Sequence, residues 1–418
     1  MPVRYAVTGA TVDQVKSVGA VDIKEAHSTG IIFATLTEEQ VARLRSQGCT
    51  VTKVGEVKTA VTPPAPVAGL PTYTPEQLFQ IAGLEDLRNI SRPPLYGEGF
   101  NLAIVDTGIR STHEKISGHV VHSKNYTSDP AGDGFDHGTG IASIALAAAP
   151  KCNLLDLKVL DSKGQGTEEE VVLAMDDIIS MHDAGAEFAP CVINLSLGSP
   201  DDGNPNNILR IACRAALERN IWVIAAAGNS GPAPGTIMSP ACERYVAAIG
   251  SAKYLPDQKT FVVSNFSSRG PTLEGLVKPD ALLFGEDIDM ASSSSDTATT
   301  AKSGTSFATP FGSAMSLLFM EGLQRRAQPT QEIPGVYPEL GIYYFTLADM
   351  IDRYLAGVSV KPQGVPAGKD NDYGCGLPFG PLILQTLGVR LAFDLSAVFT
   401  GMVAVMMMIP MVKMVEAV

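Results

Sequence analysis

Four polar residues stand where this chain could carry out acyl transfer. Asp106 follows the apolar run 101–105, and His137 precedes Gly138-Thr139-Gly140. Asn229 follows Ala226-Ala227-Gly228, and Ser306 lies in Ser303-Gly304-Thr305-Ser306-Phe307-Ala308-Thr309-Pro310. Acyl transfer requires a nucleophile, a base to take its proton, a carboxylate to orient that base, and donors for the oxyanion. Ser, His, Asp and Asn supply that set. Taken singly, each has a plainer reading. Asp-Thr-Gly is common in turns, a histidine before glycine is more often a satisfied surface or core residue, Ala-Ala-Gly-Asn is a strand ending in a turn, and Gly-Thr-Ser is a good helix cap. Their order along the chain, and the elements that carry them, lift the set above those readings.

Residues 311–323 are apolar at helical spacing (Phe311, Met315, Leu318, Phe319), so Ser306 sits at the start of a buried helix, where backbone N–H groups point outward. Pro310 falls about one turn inside it. A proline there removes a donor and disfavours helix at Thr309, a cost of roughly 3 kcal/mol in an ordinary helix. The expectation is a bend retained for function, since local conflicts of this kind concentrate at functional sites.

The flanking elements set the frame. The run 101–105 is a continuous apolar strand of the type buried in parallel sheets, and it ends on Asp106, where open α/β sheets place their ligands. Residues 141–146 read as an apolar helix with His137 at its start, and 154–160 as the next strand. After the loop Gly164-Gln165-Gly166, the capping box Thr167-Glu168-Glu169-Glu170 opens a helix to about Met181. A strand over 192–198, an acidic loop, a helix over 208–219 and a strand over 221–227 follow. Strands alternating with helices predict an α/β fold, a doubly wound and mainly parallel sheet with helices on both faces.

Before it, residues 3–9, Val21–Ala26, 30–36 and 49–57 read as strands. Helices capped by Thr11 and by Thr37-Glu38-Glu39-Gln40 lie between them. The order βαββαβ describes a ferredoxin-like α+β module of about sixty residues, near the lower size limit for an independent core and better stabilised when docked. The proline-rich stretch 61–74 that follows favours an extended connector.

With these residues in place, Asp106-Thr107-Gly108, His137-Gly138-Thr139-Gly140 and the Ser306 octapeptide, in the order Asp, His, Ser, resemble the triad motifs of subtilisin-like serine proteases. Ala226-Ala227-Gly228-Asn229 resembles the family's oxyanion-hole motif, and Ser196-Leu197-Gly198 its peptide-pairing edge. Asp372-Tyr373-Gly374-Cys375-Gly376 resembles the family's closing turn. The resemblance covers about 76–388 and implies a serine endopeptidase. Its catalytic residues would be Asp106, His137 and Ser306, with Asn229 at the oxyanion. Peptide would pair along Ser196, Leu197 and Gly198, with Gly164 and Gly166 on its other side, and Ala226, Ala227 and Gly228 would leave room for a large apolar side chain before the scissile bond. Residues 1–60 resemble the family's inhibitory propeptide, which makes the protein a self-processed zymogen. The connector 61–75 would belong to the processing region, the cut falling within 55–75.

Departures from the family are also visible. Gly140 stands where a second histidine is usual, the chain after His137 lacks the longer loop that binds calcium in many relatives, and Phe284-Gly285-Glu286 replaces Ala-Pro-Gly. No cofactor and no metal site is expected: a structural calcium ion has no recognisable site, and the loop acids Asp201 and Asp202 read as solvated. Two rivals remain. The sedolisin branch uses a glutamate where His137 stands, and a pseudoprotease or peptide-binding module on the same fold would lack activity.

Composition narrows the rest. With 45% hydrophobic and 18% charged residues the chain can bury a large core, and a net charge of −13 gives no footprint for nucleic acid. The partners that the resemblance implies are a peptide or protein substrate and its own propeptide. The six cysteines (Cys49, Cys152, Cys191, Cys213, Cys242, Cys375) have no C-x-x-C pair and read as buried thiols. Met1–Tyr5 is followed by no apolar run, so the expectation is an intracellular protein, or a secreted one whose signal has been removed. In the tail 389–418, positions 395–412 carry no charge, just enough to span a bilayer as an anchor. The alternative is a methionine-rich helix for a protein partner.

Overall fold

Thr11 and Thr37 each accept a backbone N–H of the residue three positions on, and Gln14 and Gln40 return the bond. These reciprocal caps start the helices Val12–Ser17 and Glu38–Ser46. In the computed structural model, which describes residues 2–59, 71–85, 94–326, 336–337, 342–343 and 345–387, both helices pack on one antiparallel sheet. Its strands β1 (Val3–Thr8), β2 (Val21–Ala26), β3 (Ile31–Leu36) and β4 (Thr50–Lys53) run in the order β2-β3-β1-β4. Tyr5, Val7, Ile32, Ala34 and Val51 meet the helices, while Ala6, Ile31 and Phe33 on the opposite face join the core of the following domain.

The stretch 49–57 does not form one strand. β4 stays in the first sheet, and β5 (Glu56–Thr59) leaves it at Gly55, whose N–H donates to Glu168 Oε2 at 2.9 Å. Val57 then has no exposed surface and joins the second core.

That second domain begins with the helix Pro75–Ile81, capped by Thr74, at the last residue of the expected connector. Its strands are β6 (Asn101–Asp106), β7 (Val120–Asn125), β8 (Asn153–Lys158), β9 (Gln165–Thr167), β10 (Val192–Leu195), β11 (Leu197–Pro200), β12 (Trp222–Ala226), β13 (Met238–Ser239), β14 (Ala247–Leu255), β15 (Thr260–Val263) and β16 (Ala281–Phe284). The main sheet runs β15-β14-β12-β10-β6-β8-β7, with β16 also on β14. Every pairing in it is parallel except β14 with β15. Alternate side chains explain the two layers. Leu102, Ile104, Leu154 and Ile224 face the helices Gly138–Ala148 and Thr305–Arg326. Ala103, Val105, Leu155, Ile193 and Val223 face the helices Glu168–Asp183 and Ile208–Leu217. The expected α/β architecture is the observed one.

A second, antiparallel sheet, β13-β11-β5-β9, crosses the carboxyl side of the first and contains the strand supplied by the N-terminal module. A hairpin of β17 (Ile288–Ala291) and β18 (Thr299–Lys302) follows β16, carries the polar run 292–295 in its turn, and delivers the chain to Ser303. The closing turn is tight: Gly374 has φ +57°, and a methyl there would lie 2.6 Å from the carbonyls of Pro279 and Asp280. All six cysteines are unpaired thiols, five of them buried. Among the described residues no helix is long and apolar enough to cross a membrane; the tail segment 395–412 lies outside them.

Candidate active site

The end of β6 and the start of the helix Gly138–Ala148 bring a carboxylate and an imidazole together. His137 Nδ1–H donates to Asp106 Oδ1 at 2.7 Å, with both side chains 1% exposed. The Thr107 N–H donates to the same oxygen at 2.7 Å. This bond fixes the imidazole so that Nε2 is the acceptor, and Nε2 is buried with no hydrogen-bond partner among the described residues. The two motifs pack backbone against backbone: a methyl on Gly138 would fall 2.2 Å from the Gly108 carbonyl. Gly140 leaves its space to the Met290 thioether, which a methyl there would meet at 2.4 Å.

Asp133, which the sequence reading passed over, cages the histidine loop. Its Oδ1 accepts Thr107 Oγ1–H at 2.8 Å and the N–H groups of Phe135 (3.1 Å) and Asp136 (2.8 Å). Its Oδ2 accepts the N–H groups of His137 and Thr139, each at 3.0 Å. The available signal was an aspartate one turn ahead of a helix start. Asp156, on β8, was also missed. Burial pushes its carboxyl up to about 7, while the Ile109 N–H holds it against the Asp106–Ile109 turn. One of its oxygens, Oδ1, is buried with no hydrogen-bond partner among the described residues.

Ser306 lies in the first turn of the helix Thr305–Arg326, which runs through Pro310. A proline at 310 gives no N–H to the Ser306 carbonyl four residues back. Ser196 Oγ–H takes that role at 2.8 Å. A buried chain stands behind it: Asn194 Nδ2–H donates to Ser196 Oγ at 2.9 Å, and Ser313 Oγ–H to Asn194 Oδ1 at 2.9 Å. The Ser306 hydroxyl itself donates to the Ser196 carbonyl at 3.1 Å. The carbonyl that Pro310 leaves without a helix donor is thus tied to the residue that follows β10. Asn229 is oriented by Thr305, whose N–H and Oγ1–H both donate to Asn229 Oδ1 at 2.8 Å. With its oxygen so held, the amide presents Nδ2 toward Gly304, where a methyl would lie 3.3 Å away.

The edges expected to pair with peptide are occupied by β5. Thr59 stands opposite Leu197 and Lys58 opposite Gly198, while Val57 stands opposite Gly166 and Lys58 opposite Gln165. The Thr59 N–H also donates to the Gly164 carbonyl at 3.0 Å. Ala226 and Ala227 are buried, and Gly228, at φ +112°, would bring a methyl within 2.7 Å of Ser268 Oγ. Beside them Met238 reaches both Gly198 and Gly228. Asp201 and Asp202 accept backbone N–H groups of Gly203 and Asn204 within their own loop.

Acidic side chains of the helix Glu168–Asp183 grip the N-terminal module. Glu169 pairs with Arg4 at 2.5 Å and Lys24 at 3.0 Å. Asp176 accepts the N–H groups of His27 (3.0 Å), Ser28 (2.6 Å) and Thr29 (3.2 Å). The Arg4 and Lys24 hydrogen bonds hold the Glu169 carboxyl below its usual range against the opposing effect of burial.

Comparison with known proteins matches residues 97–342 to the subtilase family. The chain is 31% identical over 260 residues to serine protease AprX of Bacillus subtilis (strain 168), a match covering 54% of this chain and 58% of that protein. It is 28% identical over 277 residues to a subtilisin of Bacillus sp. (strain TA39), covering 59% and 65% of the two chains. It is 30% identical over 242 residues to proteinase T of Parengyodontium album, covering 56% and 74%. The chain thus spans less than two thirds of the first two relatives.

Proposed function

The chain belongs to the subtilase family, and on that premise we propose that it is a serine endopeptidase working through Asp106, His137 and Ser306. The observation that carries this reading is the buried 2.7 Å bond from His137 Nδ1 to Asp106, which leaves Nε2 as the acceptor of a ring centred 5.2 Å from that of Phe307, the residue after Ser306. In the reaction the Ser306 hydroxyl turns from the Ser196 carbonyl to His137 and gives up its proton as Oγ attacks the peptide carbonyl. Asp106 stabilises the imidazolium, which then protonates the leaving amine. The Asn229 amide and the Ser306 N–H receive the oxyanion, the contact that strengthens most in the transition state. Water, deprotonated by His137, releases the acyl group from Ser306.

In the same reading residues 1–60 are an intramolecular inhibitor, and the protein is a zymogen that cuts itself within 55–75. Support comes from β5, which lies between 165–167 and 197–198 as a substrate strand would. The module is held by side-chain bonds as well as by its strand, which suits a segment that must stay docked until cut.

Labelling with a fluorophosphonate probe tests the activity. The wild type should be modified at Ser306, and Ser306→Ala should not. Intact masses of the two proteins test processing: the wild type loses its N-terminal segment and Ser306→Ala stays full length. A folded wild type that takes no probe and hydrolyses no peptide would leave a peptide-binding module as the better reading.

A further inference from the structure

Backbone segments 196–198 and 226–228 run past Ser306, the first tied to it through Ser196 and the second leading into Asn229. The slot between them would take the side chain of the residue whose carbonyl is attacked. One side chain of the protein already lies in it. A methyl on Gly198 would approach Met238 Cε to 2.4 Å, and one on Gly228 would approach Met238 Sδ to 3.3 Å. The thioether therefore touches both glycines that wall the slot.

Met238 is held there by its backbone. Its N–H donates to the Ala227 carbonyl at 3.0 Å, and β13 pairs with β11 so that Met238 stands opposite Pro200. Ser268 Oγ closes the Gly228 side. Met238 is partly exposed, so its tip forms part of the cleft surface and not only of the core.

We propose that Met238 is the specificity-determining residue, restricting the acyl side of the scissile bond to small side chains such as alanine, glycine or serine. This rests on the protease reading above. A phenylalanine or leucine would have to displace the thioether. Methionine is flexible enough to yield, but only by giving up its packing between two backbones. A difference of one methylene in an apolar pocket is already worth 10–200-fold in kcat/KM, so a whole aromatic ring should cost about 10-fold or more.

The test uses the full chain after it has been allowed to process. Matched peptide anilides differing only in alanine, leucine or phenylalanine at the acyl position are assayed with the wild type, Met238→Ala and Met238→Gly. The wild type should favour alanine over phenylalanine by at least about 10-fold in kcat/KM, and Met238→Gly should raise the phenylalanine-to-alanine ratio by about as much. A wild type that prefers leucine or phenylalanine overturns the inference. So do two folded variants whose ratios match the wild type. If neither variant takes a fluorophosphonate probe, the wild-type profile alone decides. A wild type that takes the probe with a flat profile sinks only the role of Met238. One that takes no probe and cleaves nothing sinks the protease reading, and this inference with it.

Discussion

Asp133→Asn should disarm His137 without touching it. The carboxylate accepts five hydrogen bonds, four of them from backbone N–H groups between Phe135 and Thr139. An asparagine keeps the shape but turns one oxygen into a donor. In one orientation the new NH2 opposes the N–H groups of His137 and Thr139; in the other it opposes those of Phe135 and Asp136. Either way two backbone donors lose their acceptor, at about 1–3 kcal/mol each when buried. Asp133 is half-buried, so the lower part of that range applies, about 2–3 kcal/mol in all. For a domain of this size that lowers Tm by roughly 5–10 °C. The loop carries the imidazole, and a displacement near 1 Å costs up to about 100-fold in rate, so kcat should fall by about 10–100-fold. KM should change little, because the edges at 164–166 and 196–198 are untouched. The assay pairs steady-state kinetics on a peptide anilide with the rate of fluorophosphonate labelling and a thermal melt. An Asn variant that labels at the wild-type rate and melts within about 1 °C of it would refute the argument that this cage positions His137.

Asn229→Ala should lower kcat by about 10²–10³ while leaving KM nearly unchanged, because the oxyanion contact forms fully only in the transition state; a variant that loses affinity but keeps turnover contradicts the assignment. Ser196→Ala deprives the Ser306 carbonyl of its donor, so kcat should fall more than KM rises and stability should drop by about 1–3 kcal/mol; unchanged kcat with a shifted KM would show that Ser196 serves only the peptide edge. Asp156 gives a pH signature. Its folded value of about 7 lies above the ordinary 3.8, so the native state carries an extra proton between those values, and the stability this gives is lost as pH rises through 7. Asp156→Asn keeps an acceptor for the Ile109 N–H, and its stability gain over the wild type should grow from pH 5 to pH 8, reaching on the order of 2–4 kcal/mol. Melting curves that differ by the same amount at both pH values would show that Asp156 does not titrate as buried.

The α/β architecture was legible because apolar runs such as 101–105 and 222–226 need cover on both faces, and only helices packed on a parallel sheet supply it. Asp106, His137, Asn229 and Ser306 were legible as polar residues interrupting that pattern at the ends of strands and the starts of helices. What escaped had no period to show it. Residues 49–57 alternate as a single strand, and nothing in that alternation says that Gly55 sends the second half into another sheet, where Val57 is buried against the larger domain. Asp133 reads as one of several loop acids until four N–H groups are seen converging on it. Met238 lies outside every recognised motif, and the three small residues at 226–228 say nothing of the two-residue strand ten positions on that brings its side chain against Gly228.

Pro310 shows how a local rule can flag the right place without saying what compensates there. The helix that starts beside Ser306 continues through the proline to Arg326, and the carbonyl released at Ser306 is taken by Ser196 Oγ–H. The same Ser196 gives its own carbonyl to the Ser306 hydroxyl, so one residue at the end of β10 holds the nucleophile at backbone and side chain together. Its hydroxyl is in turn oriented by Asn194, and Asn194 by Ser313, about two turns further along the helix that carries Ser306. The proline thus converts an internal helix bond into a bond between helix and sheet. A helix alone fixes Ser306 relative to its own axis; the bond to Ser196 fixes it relative to the sheet as well.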